Sequence, residues 1–180
     1  MKTLVIGPGR IGCGFAGQLL RASGHEVTFL GRNQEFVDHL NRLQRYRVRL
    51  VDDAESRDIV VDGVRAVSTA DSKSAVRELA AADLIVTAVG AGNLPCIAPL
   101  IAGGLRRRNT PVNAMAFENL SNAGTYLRQL VASYLPAGFP LDGHGFSGSV
   151  ISRTVTGRLG NPAGAEPLVF VGDPSSAFAV

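Results

Sequence analysis

Six residues into the chain stands Gly7-Pro8-Gly9-Arg10-Ile11-Gly12, and this stretch restricts the possible fold more than any other. It follows Lys2-Thr3-Leu4-Val5-Ile6, a short apolar run that reads as a buried strand. Beyond it, Ile11, Phe15, Leu19 and Leu20 recur at near-helical spacing between Arg10 and Ala22. A Gly-x-Gly-x-x-Gly turn joining a strand to a helix is the setting in which that pattern points to a dinucleotide. Gly7 permits the tight turn, Gly9 lets a pyrophosphate approach the backbone, and Gly12 lets the helix pack closely on the strand. Free N–H groups and the positive dipole end of the helix face the phosphates, so Arg10 and Ile11 are counted with the expected cofactor contacts. Pro8 stiffens the same turn by fixing its own φ.

Gly24 closes the first helix, and Glu26-Val27-Thr28-Phe29-Leu30 is the second strand. In NAD sites a carboxylate about 20 residues beyond the glycines binds the ribose 2′-hydroxyl. That place holds Gly31, followed by Arg32 and Asn33, with no carboxylate before Glu35. A guanidinium binds a 2′-phosphate that a carboxylate would repel, so Gly31, Arg32 and Asn33 favour NADP, with NAD as the second possibility. A solvated loop arginine, or one stacked on adenine without selecting the phosphate, is the alternative reading of Arg32.

Phe36, Val37, Leu40 and Leu43 mark an amphipathic helix from Gln34 to Gln44. Tyr46 to Leu50 then alternates with period two, and Asp58–Val61 and Val64–Val67 flank Asp62-Gly63, which predicts a hairpin closed by that pair. A solvated strand face explains Arg45, Arg47 and Arg49 better than nucleic-acid binding does, because no aromatic platform accompanies them. Lys73 to Ala82 reads as a helix and Leu84-Ile85-Val86-Thr87-Ala88-Val89 as a buried strand ended by Gly90. Ligands of a doubly wound sheet lie beyond the carboxyl ends of its strands, so Ala88, Val89 and Gly90 should border the cofactor. A helix is expected from Asn93 or Leu94 to Arg108, a strand from Pro111 to Phe117, and a helix from Ser121 to Leu135. Glu118 and Asn119 lie between the last two. They occupy either a functional position at a strand's carboxyl end or a helix-capping one.

These elements predict an α/β chain: a doubly wound, mostly parallel Rossmann-type sheet with a β-hairpin excursion after the second strand, residues 1–180 forming one dinucleotide-binding domain. The 21 glycines among 180 residues suit tight βα turns, and a net charge of +3 implies no polyanionic partner. Nucleic acid and membrane are not expected partners. The two cysteines, Cys13 and Cys96, supply no disulfide framework and suit a cytoplasmic setting. Leu4–Ile6 is too short for the apolar core of a signal peptide, and no metal site is expected.

Met1 to Phe15 with its four glycines, Asn33-Gln34, Thr87-Ala88-Val89-Gly90, Glu118-Asn119-Leu120 and Gly145-Phe146 with Ser149–Arg153 follow one another in an order that resembles the mannitol-1-phosphate 5-dehydrogenases and the wider polyol-specific long-chain dehydrogenases. The resemblance implies metal-free hydride transfer between a nicotinamide cofactor and a polyol or its phosphate. It makes Asn119 a catalytic residue that polarises the reacting oxygen, and it places the general base, a lysine, in a second, helical domain. That domain is expected to be missing here, because Lys2 and Lys73 are the only lysines and neither follows a strand near the glycine turn. NAD-dependent members carry an aspartate where this chain has Gly31. The family's Asp-Arg pair is Ser152-Arg153 in this chain, a departure at a position the resemblance ties to the substrate. A partner chain or missing domain would complete an enzyme; the other reading is a non-catalytic NADP-binding sensor or interaction module.

Overall fold

The computed structural model describes residues 1–52 and 55–180. Strand β1 (Lys2–Ile6) is buried from Thr3 onward and apolar from Leu4 to Ile6 because helices cover both faces of the sheet around it. Its side chains alternate between two cores: Leu4 and Ile6 enter one, Val5 the other. Strand β2 (Glu26–Gly31) repeats the division with Leu30 on one side and Val27 and Phe29 on the other.

Six strands form the main sheet. Beside β1 and β2 stand β5 (Arg65–Ser68), β6 (Leu84–Thr87), β7 (Asn113–Ala116) and β8 (Gly145–Gly148), in the order β5-β2-β1-β6-β7-β8. Every neighbouring pair is parallel. The chain starts at the centre, winds outward through β2 and β5, then returns to build β6, β7 and β8 on the other flank. The switch point therefore lies between β1 and β6, with the glycine turn directly beyond β1. This is the expected doubly wound α/β sheet.

Helix α1 spans residues 10–22. Its middle, Gly12–Gly17, is wound as π-helix, and Gln18–Ala22 continues as α-helix. All six residues of the wide turn are buried, because a second sheet packs on the side of α1 away from the first. That sheet runs β10-β11-β3-β4, from β3 (Arg45–Val51), β4 (Ser56–Asp62), β10 (Val155–Leu159) and β11 (Val169–Gly172). Two glycines admit it: a Cβ on Gly14 would lie 2.8 Å from a methyl of Val155, and one on Gly17 would lie 2.5 Å from the Tyr46 hydroxyl oxygen. The Tyr46 hydroxyl donates to the Cys13 carbonyl at 2.9 Å, a bond from the second sheet into the π-wound turn. Arg153 locks the other side. Buried in spite of its charge, it donates to the Gly14 carbonyl and Gln18 Oε1, each at 2.9 Å, and lies 5.3 Å from the Phe15 ring centroid.

The hairpin expected across Asp62-Gly63 does not form. β4 pairs antiparallel with β3, while β5 pairs parallel with β2. Gly63, at φ +63°, redirects the chain from one sheet to the other. Both segments carry turn-flanking apolar residues, but Val61 is needed over the second core and Ala66 beside β2, so the two cannot pair with each other.

The remaining helices are α2 (Gln34–Leu43), α3 (Ser72–Ala81), α4 (Leu94–Leu105) and α5 (Ala123–Ala132). α4 ends before the triple arginine, and Arg108 turns back to donate to the Ala82 carbonyl at 2.8 Å and the Thr110 carbonyl at 2.7 Å. α5 starts two residues later than Ser121, at Ala123 after left-handed Asn122, and ends at Ala132 rather than Leu135. Two two-residue strands, β9 (Val150–Ile151) and β12 (Phe178–Ala179), pair near the end of the described chain. Among the described residues no helix is long and apolar enough to cross a membrane.

Candidate functional site

A cleft of about 490 Å³ opens where β1, β2 and β6 end. Gly7, Pro8 and Gly9 form its floor, Arg32, Asn33 and Phe36 one wall, and Ala88 and Val89 the opposite edge. Seven residues expected at a cofactor site therefore meet in one place: Gly7, Pro8, Gly9, Arg32, Asn33, Ala88 and Val89. Each of the three glycines in the turn answers a different geometric demand. Gly7 takes φ +98°, and its backbone passes so close to the Ala88 carbonyl that no side chain fits. Gly9 faces open space, with nothing within 4 Å of where a Cβ would stand. Gly12 is buried under the turn, where a Cβ would collide with the Gly7 carbonyl oxygen.

Arg10, Ile11, Gly12, Gly31, Gly90 and Asn119 are not on the cleft wall. Gly31 is buried, and a Cβ there would stand 2.8 Å from Cγ of Pro8. Pro8 and Gly31 thus form a matched pair: the proline ring occupies the space where a side chain at position 31 would begin. Asn33 caps α2 by accepting from the Phe36 N–H at 2.8 Å. Asn119 is exposed just past β7.

Glu118 behaves differently from either expectation. It does not cap α5; its carboxylate turns back toward β6 and accepts from the Val89 N–H at 2.9 Å and the Gly90 N–H at 2.8 Å. The group is 6 % exposed. Burial pushes its pKa above the ordinary carboxyl value, while the bonds from the Val89 and Gly90 N–H groups pull it back. One carboxylate thereby fixes the loop that edges the cleft. Across the same loop, Asn93 donates to the Val89 carbonyl at 2.7 Å.

Sequence reasoning missed Arg158, Phe36, Thr69, Asn93 and Cys96 as cleft residues. Phe36 and Cys96 carry helical periodicity that reads as core, and no local signal brings Arg158, on β10, to the end of β2. His144 lies at the opposite end of the sheet. It precedes β8, and its Nδ1 accepts from the Val112 N–H at 3.3 Å. The Arg47 and Arg49 side chains stand on β3, where Arg49 forms a two-pronged ion pair with Asp58 at 2.7 and 2.9 Å, as a solvated strand face would.

The mannitol dehydrogenase Rossmann-domain model matches residues 1–167. The chain belongs to that family. Among curated relatives, the mannitol-1-phosphate 5-dehydrogenase of Brevibacillus brevis is 40 % identical over 139 residues, covering 75 % of this chain and 36 % of its own length. The enzyme of the same name from Geobacillus thermodenitrificans is 36 % identical over 188 residues, covering all of this chain and 48 % of its own. The chain thus spans between about a third and a half of these mannitol dehydrogenase relatives. In fold it is similar to octopine dehydrogenase with NADH and L-arginine, at TM-score 0.65 and 11 % identity, over 94 % of this chain and 39 % of that one. This mannitol dehydrogenase Rossmann domain thus shares its fold with octopine dehydrogenase.

Proposed function

We propose that the chain is the cofactor-binding part of a mannitol-1-phosphate dehydrogenase-like enzyme that prefers NADP(H) to NAD(H) and acts on a polyol or polyol phosphate. One observation carries the cofactor reading: Arg32 lines the cleft beside Asn33, and the adjoining Gly31 has no room for a carboxylate while Pro8 stands against it. The residues present fit a dinucleotide. Open space above Gly9 suits a pyrophosphate, and the helix that starts beyond it presents backbone N–H groups and a positive dipole end. When bound, the nicotinamide supplies the hydride chemistry.

The protein's own contribution is placement. Gly7 and Gly12 set the turn, Glu118 holds the Val89–Gly90 loop, and Asn119 at the end of β7 would polarise the substrate oxygen as charge develops on it. Among the described residues the cleft walls carry no lysine, histidine or carboxylate. In this reading the base that takes the alcohol proton comes from the second, helical domain implied by the family resemblance. Free Cys13 and Cys96 are compatible with a cytoplasmic setting.

Calorimetric titration with NADPH and NADH tests the cofactor assignment. A charge-assisted contact contributes about 1.5–3 kcal/mol, so NADPH should bind at least about tenfold tighter, and Arg32→Ala should erase most of the difference. Equal affinity for both cofactors would leave Arg32 a loop residue. Turnover of mannitol 1-phosphate or fructose 6-phosphate by the complete enzyme tests the substrate class.

A further inference from the structure

We propose that Arg158 is the second half of a two-arginine clamp for the 2′-phosphate of NADP(H), an assignment that rests on the NADP reading above. Arg158 belongs to β10, in the four-stranded sheet, yet it lines the same cleft as Arg32, which follows β2 in the other sheet. Its Cζ lies 5.5 Å from the centroid of the Phe36 ring. Phe36 stands in the first turn of α2, four residues after Arg32, and all three residues line the same cleft.

The platform beneath Arg158 is held in place. Phe170 meets the Phe36 ring edge-on at 6.4 Å, and the Phe36 N–H is tied to Asn33 Oδ1. A guanidinium resting on a fixed aromatic face keeps its N–H edge free for a ligand. That edge is unused. Neither Arg32 nor Arg158 has an ion-pair or hydrogen-bond partner among the described residues, while Arg49, Arg65 and Arg128 each have a carboxylate, and Arg108 and Arg153 are bonded to backbone carbonyls.

Two unpaired cations on one cleft repel each other, and a dianion placed between them turns that repulsion into two attractions. A ribose 2′-hydroxyl gives no such return. With Gly31 supplying no carboxylate to neutralise either arginine, the ligand chemistry that fits is a phosphate monoester. Such a group can come from the cofactor or from a phosphorylated substrate. The position of the pair, beyond β2 on the adenosine side of the glycine turn, favours the cofactor.

The test is calorimetric titration of the purified protein and its Arg32→Ala, Arg158→Ala and Arg158→Lys variants with NADPH, NADH and 2′,5′-ADP. Arg158→Ala should weaken NADPH and 2′,5′-ADP by about tenfold and leave NADH within about twofold. Arg158→Lys, which retains the charge and the stem over Phe36 but loses the fork, should fall between, and thermal melting of each variant guards against unfolding. Equal affinity of the unmutated protein for NADPH and NADH would overturn the NADP reading and this proposal together. A preference for NADPH that Arg32→Ala abolishes and Arg158→Ala leaves intact would overturn the clamp alone. So would equal losses for both cofactors, which would make Arg158 a packing residue, or competition by mannitol 1-phosphate that Arg158→Ala relieves without touching NADPH.

Discussion

Alanine at Gly9 and alanine at Gly12 should separate binding from stability, although the two residues belong to one motif. A Cβ at Gly12 would lie 3.0 Å from the Gly7 carbonyl carbon and far inside the contact distance of its oxygen. The obstacle is backbone, and Gly7 is itself pinned against Ala88 at φ +98°, so α1 must lift from β1. Forced overpacking of this kind costs about 1–3 kcal/mol. With backbone on both sides the upper end applies, and at roughly 2–4 °C per kcal/mol for a domain of this size the melting temperature should fall by roughly 6–12 °C. Gly9 has free space and an ordinary negative φ, so alanine there should leave stability unchanged or raise it by up to about 1 kcal/mol through the unfolded chain. Its methyl group would instead stand in the pyrophosphate approach, and NADPH affinity should drop by at least about tenfold. Paired thermal melts and NADPH titrations decide the matter. Undiminished affinity in Gly9→Ala, or a loss of stability in Gly9→Ala matching that in Gly12→Ala, would refute the assignment of roles within the turn.

Two further outcomes follow from the loop beyond β6 and β7. Because burial raises the Glu118 pKa, the folded state holds more protons than the unfolded one between the ordinary carboxyl value and the raised one, and stability falls as pH rises through that window. Urea midpoints compared between the unmutated protein and Glu118→Gln from about pH 4 to 8 should converge or cross with rising pH, whereas parallel curves would count against a raised pKa. Asn119→Ala, tested in the complete enzyme, should lower kcat more than it alters cofactor affinity, the outcome expected of the role proposed for this exposed amide, polarising an oxygen on which charge develops only during reaction. A fall in stability of about 1 kcal/mol with unchanged turnover would instead mark Asn119 as a structural residue.

Sequence alone determined the features whose causes are local. The apolar runs of β1, β2, β6 and β7 had to be strands buried on both faces, and the Gly7–Gly12 turn between a strand and a helix could be read because each glycine answers a constraint a few residues away. Arg32 was legible for the same reason, at a fixed distance along the chain from the glycines. Tertiary structure decided whatever depends on competition between distant partners. Asp62-Gly63 looks like a hairpin turn, but β4 and β5 find better-matched surfaces in different sheets, and pairing energy outweighs a local turn preference. Glu118 looks like a helix cap until the fold brings two loop N–H groups within 2.9 Å of it and removes the water that would otherwise solvate its charge. Arg158 carries no signal in its own neighbourhood, because its place in the cleft that Arg32 also lines depends on β10 pairing with β11, β11 with β3, and the whole sheet closing over α1.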